Sequence, residues 1–210
     1  MEEAVEQLQK AIAAAPDSFG LHRNLSILYE SMKKMDEALA EADLAVKLGP
    51  REPSALSHLC GLKLTSGHDA DSLACYKRLL ELGPLDGPSQ IYYGVALFRS
   101  GTIDAAITVL EKVNADLPTN SSGLNAMGVA YFKKERYADA ASSFKRAVEI
   151  DPERGELRFN LALSQLALGN REGALSQYRI LKVDSPKLAE DLYRILYKDQ
   201  VVSVDQLVKR

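Results

Sequence analysis

Six of the eight prolines in this 210-residue chain stand on one ladder: Pro16, Pro50, Pro84, Pro118, Pro152 and Pro186, each 34 residues from the last. A rare residue type held at one period without insertion forces an array of near-identical units. Each unit then meets only its neighbours, and no single central core exists. The period also gives every residue a position within a unit, so units can be compared place by place.

The fourth unit, Ser121 to Arg154, carries two apolar stripes. Leu124, Met127, Gly128 and Tyr131 form the first; Tyr137, Ala140, Ala141, Phe144, Ala147 and Val148 form the second. Both follow the i, i+3, i+4, i+7 recurrence of an amphipathic helix. Only Lys133 to Arg136 separate them, which predicts a tight turn and an antiparallel helical hairpin. Pro152 stops the second helix, because its ring removes a donor and clashes with the preceding turn.

Small residues recur where the two helices of each unit should cross. Ser26, Cys60, Gly94, Gly128 and Ala162 share one place in the first helix; Ala4, Ala38, Ser72, Ala106, Ala140 and Ala174 share one in the second. Interiors pack near crystal density. A larger side chain at such a crossing costs about 1–3 kcal/mol. Tyr76, Leu110, Phe144 and Tyr178 share another place and are expected to fill between units, as are Leu25, Leu59, Tyr93, Met127 and Leu161. Gly67, Gly101 and Gly169 fall in the turns, where a left-handed backbone suits glycine.

On these residues the chain resembles the tetratricopeptide repeat family, whose pattern is W-x2-L-G-x2-Y, then A-x3-F, then P. The fourth unit matches through Leu124, Met127, Gly128, Tyr131, Ala140, Phe144 and Pro152, with Leu124 in place of the aromatic. The third matches through Gln90, Tyr93, Gly94, Leu97, Ala106, Leu110 and Pro118; the second departs most, with Lys63 for the tyrosine and Ser72 for the alanine. The resemblance implies an all-α fold, a right-handed superhelical solenoid of antiparallel hairpins.

In that phase the chain reads as a half repeat over 1–18, second helix only. Five hairpins follow at 19–52, 53–86, 87–120, 121–154 and 155–188, then a C-terminal capping helix and tail over 189–210. Met1 falls inside a unit, so a fragment of a longer array is expected, with a natural half-repeat cap as the alternative. Leu188, Leu192, Ile195 and Leu196 lie on one face of the last helix and should cover the open end of the array. The tail from Val201 to Arg210 could form a short helix capped by Ser203 or run on into further chain.

Chemistry is sparse. His22, His58 and His68 share no spacing, and no HExxH, P-loop, GxSxG or CxxC occurs. No catalytic residue, metal site or cofactor is expected, and the chain reads as a non-enzyme. Cys60 and Cys75 show no disulfide framework or zinc spacing, and Cys60 at the helix crossing reads as a packed thiol. Net charge of −3 argues against nucleic acid as a partner. No apolar run reaches the roughly 18 residues of a membrane span. The plain expectation is a soluble protein in a reducing compartment, the cytoplasm.

The resemblance implies that the first helices line a concave face, with contact positions at the second, fifth, ninth, twelfth and thirteenth places of each unit. From the third unit onward those places are mainly apolar, and a contiguous apolar patch marks an interaction site. The expected peptide-binding groove comprises Ile91, Val95, Phe98, Arg99, Asn125, Val129, Phe132, Lys133, Phe159 and Leu163, with Leu166 at its edge. It would take the apolar face of a partner helix or extended peptide, with Arg99 and Lys133 favouring an acidic rim. The competing expectation is that these side chains pack between neighbouring first helices. The family's carboxylate clamp fits poorly: Asn160 and Arg194 stand where it needs them, whereas Val129 and Glu190 do not. The function so implied is a protein–protein interaction scaffold. Two further readings are a regulatory or substrate-recruiting segment of a larger enzyme, such as a glycosyltransferase, and self-association through the array ends around Leu8.

Overall fold

The computed structural model describes residues 1–197, and the expected tail beyond them lies outside the described residues. The chain divides into two compact units, the first Met1–Ser100 and the second beginning at Gly101. The division runs through the expected third hairpin.

The first unit holds α1 (Glu2–Ala14), α2 (Phe19–Ser31), α3 (Met35–Leu48), α4 (Pro53–Thr65), α5 (Asp69–Leu82) and α6 (Gly87–Arg99). The second holds α7 (Ile103–Asp116), α8 (Ser121–Lys133), α9 (Tyr137–Ile150), α10 (Gly155–Ala167), α11 (Arg171–Asp184) and α12 (Pro186–Tyr197). Among the described residues every element is a helix. Phe19, Pro53, Gly87, Ser121 and Gly155 each open a first helix, at the boundaries the period predicts. Asp86, Asn120 and Asn170 cap α6, α8 and α11 by accepting from the backbone N–H three residues on. Each ladder proline lies two residues past the end of a second helix. Pro186 also opens α12, three residues ahead of the expected 189, because proline suits the first helical position and only Ser185 separates it from α11.

Successive helices pack as antiparallel hairpins, α2 with α3 and α4 with α5 in the first unit, α8 with α9 and α10 with α11 in the second. The crossings are as close as the small residues demand. Ser26 Oγ donates to the Ala38 carbonyl at 2.7 Å, and Ser72 Oγ donates to the Cys60 carbonyl at 2.9 Å. A Cβ added to Gly128 would sit 2.6 Å from the Phe144 ring. That ring therefore fills the crossing of its own hairpin, where filling between hairpins was expected. The turn position recurs with positive φ at Gly67, Gly101 and Gly169, but also at Lys33 (φ 60°) and Glu135 (φ 59°).

Helix α1 differs from the other second helices in its burial. Ala38, Ser72, Ala106, Ala140 and Ala174 are wholly buried, whereas Ala4, at the same place in α1, is exposed, and α1 has no buried residue.

Candidate functional site

The ten residues expected to form a groove fall on both units and split by exposure. In the first unit Ile91 is buried, Val95 and Phe98 are half-buried, and Arg99 is turned to its neighbours, donating to the Leu64 carbonyl at 2.8 Å and pairing with Asp69 at 3.2 Å. In the second unit Phe132, Phe159 and Leu163 are 3%, 1% and 0% exposed, and Val129 is buried. Phe132 also meets the Tyr137 ring edge-on at 5.0 Å. Asn125 accepts from Asn160 Nδ2 at 2.9 Å, so both amides are engaged between first helices. Lys133 is exposed. The first helices α8 and α10 enclose their large apolar side chains inside the unit, where sequence spacing alone had suggested a face.

The first unit instead opens a hollow of about 580 Å³. Its walls come from α2 through Arg23, Ile27 and Glu30, from α4 through Ser57, His58 and Gly61, and from the start of α6 through Asp86, Ser89 and Tyr92. On α2 and α4 these are mainly the fifth, ninth and twelfth places, Arg23 and Ser57, Ile27 and Gly61, and Glu30, whereas on α6 Ser89 and Tyr92 are third and sixth; the whole lies toward the N-terminus from the expected groove. Ile27 and Tyr92 present apolar surface, at 44% and 45% exposure. Arg23 forms no ion pair among the described residues, its nearest side-chain acceptor being Asn24 Oδ1 at 3.4 Å, and its Nε is buried without a partner.

Hydrogen bonds hold the walls in place. Ser26 spends its only proton on the Ala38 carbonyl, so it accepts from His58 Nε2 at 2.8 Å. Burial, and then the Arg23 charge, hold the His58 pKa down to about 4, leaving a neutral imidazole. Ser57 and Ser89 hydroxyls meet at 2.8 Å, joining α4 to α6. His22 lies deeper, with Nδ1 2.7 Å from Glu41 Oε2 and Nε2 2.9 Å from the Pro16 carbonyl. It ties α2 to α3 and to the segment after α1.

The two cysteines were expected to be separate and Cys60 a packed thiol; the structure corrects this. Cys60 and Cys75 form a disulfide, Cα–Cα 5.3 Å, between α4 and α5. Cysteine at the crossing places the sulfur against the opposite helix, within reach of a second cysteine one place before Tyr76. Position counting could have found the pair; the scan for metal and framework spacings could not. Among the described residues no cluster of His, Cys, Asp or Glu could hold a metal ion, and no helix is long and apolar enough to cross a membrane.

Helical hairpins of constant step, crossing on small residues, are what the tetratricopeptide repeat profile encodes, and it matches residues 2–53, 62–121 and 125–189. The chain belongs to the tetratricopeptide repeat family. Cellulose synthase operon protein C of Escherichia coli (strain K12) is 28% identical over 215 residues, covering 91% of this chain and 18% of that protein. The chain thus spans less than a fifth of that relative. Among solved structures, PilW, a widely conserved type IV pilus biogenesis factor, superposes with a TM-score of 0.82 at 18% identity, covering 93% of this chain and 90% of that one. YrrB, described as a tetratricopeptide protein with an unusual peptide-binding site, gives 0.65 at 19% identity, covering 90% and 99%.

Proposed function

We propose that this tetratricopeptide array is a protein-interaction scaffold whose first unit holds a segment of a partner protein in the hollow walled by α2, α4 and α6. The observation that carries this is the hollow itself: about 580 Å³, with Ile27 and Tyr92 exposed on opposite walls and an Arg23 guanidinium that no carboxylate neutralises among the described residues. Concave sites of this size that combine apolar surface with a few polar groups are where ligands bind. The expected groove residues Val129, Phe132, Phe159 and Leu163 serve as packing in this reading, which their burial supports.

The test uses a photocrosslinking amino acid at Tyr92, and separately at Lys77, which is exposed on α5 away from the hollow. Crosslinks to a partner chain from Tyr92, absent from Lys77 and abolished by Ile27→Lys, are the expected result. Equal crosslinking from both positions refutes the reading. A second reading, that the array recruits a partner or substrate for a longer protein, is favoured by the relative that matches 91% of this chain within 18% of its own length. The length of the open reading frame decides it.

A further inference from the structure

One side chain is missing from the middle wall of the hollow. Gly61 stands at the ninth place of α4, on the middle wall, where the other first helices carry Ile27, Val95, Val129 and Leu163. A Cβ built on Gly61 would meet only the Tyr76 hydroxyl, at an ordinary contact distance of 3.8 Å. Gly128 differs: its missing Cβ is taken up by the Phe144 ring. Gly61 therefore leaves real space, in a helix interior where glycine is a poor helix former.

We propose that the gap over Gly61 is a socket for one bulky apolar side chain of an extended peptide, and that an acidic residue beside that side chain sits on Arg23. This rests on the reading of the hollow as a partner site and adds the ligand's chemistry. Exposed Ile27 and Tyr92 supply the apolar flanks of the socket. Arg23 supplies an unpaired charge on the α2 wall. Glu30, seven residues along the same helix and so about 10 Å away, repels a carboxylate at the other end and fixes which end the acidic residue takes. Asp86, also at the rim, is engaged in capping α6 through the Ser89 N–H at 2.8 Å.

The experiment starts from a phage-displayed random dodecapeptide library selected on the full chain, followed by anisotropy titration of the enriched synthetic peptides. The expected consensus is a large apolar residue next to Asp or Glu. Gly61→Val should fill the socket and weaken binding about tenfold or more. Valine already occupies this place in α6 and α8 and is a better helix former than glycine, so the melting temperature should hold or rise. Arg23→Glu should reverse the charge preference, selecting Lys or Arg in place of the acid. Peptides that Ile27→Lys releases but Gly61→Val does not, or a consensus with no acid, overturn the socket and leave the hollow as a partner site. A library that yields no binder overturns both.

Discussion

Replacing both cysteines by serine removes the Cys60–Cys75 bond while keeping the shape of the crossing. Serine already fills that place in the first hairpin, where Ser26 is wholly buried and donates to the facing carbonyl. The loss therefore reports the cross-link rather than a cavity. The bond closes a loop of 15 residues. In the chain-entropy account, a loop of that length stabilises by about 3 kcal/mol. An array unfolds locally, so the effect belongs to α4 and α5 rather than to the whole chain. Hydrogen exchange followed by mass spectrometry resolves this. Amides within residues 53–82 should lose about 3 kcal/mol of protection in C60S/C75S, and those of α8 to α11 should stay within about 0.5 kcal/mol. Reductant should reproduce the loss in the natural chain and leave the double variant unchanged. Protection of α4 and α5 that is the same in both proteins, or two alkylatable thiols in the denatured unreduced chain, would refute the reasoning.

Lys33 and Glu135 hold the turn conformation that glycine holds in three other units. Lys33→Gly and Glu135→Gly should each raise stability by about 0.5–1 kcal/mol in urea titration, and a loss would show that their side chains matter more than their backbone. Phe132→Ala should cost about 3–5 kcal/mol of stability if the ring is packing; retained stability with lost partner binding would restore it to a surface role. Burial lowers the His58 pKa from 6.5 to about 4, so in that window the unfolded chain binds a proton the folded one refuses. The contribution is present above pH 6.5 and is lost as pH falls toward 4. The urea midpoint of the natural chain minus that of His58→Gln should shrink over this range, and parallel curves would remove His58 from the account.

The proline step and the small-residue crossings made the hairpins legible, because both follow from covalent geometry repeated in register. Helix starts at Phe19, Pro53, Gly87, Ser121 and Gly155 fall where the period puts them. The candidate site was legible only in outline. Contact positions pointed to the first helices, but whether a side chain there faces outward depends on how closely neighbouring helices approach, which spacing does not encode. Spacing therefore leaves Phe132 and Phe159 open between groove and packing, and Gly61, with no side chain, leaves no mark in a pattern of apolar places. The disulfide was missed because spacing along the chain was searched for a framework, while the pairing lies across a hairpin. The expectation of a reducing compartment leaned partly on unpaired thiols and loses that support, since disulfides persist where thiols are oxidised.

The reach of the contacts has a consequence for how the protein is made. The tertiary hydrogen bonds described above join residues between 6 and 35 positions apart. At about 5–20 residues per second of synthesis, even the farthest partner emerges from the ribosome within about 2–7 s of the residue that awaits it. Among the described residues no strand waits for a distant mate, and every wall residue of the hollow is available once Tyr92 has emerged from the ribosome. The binding surface proposed for the first unit can therefore exist on a nascent chain while later helices are still being made.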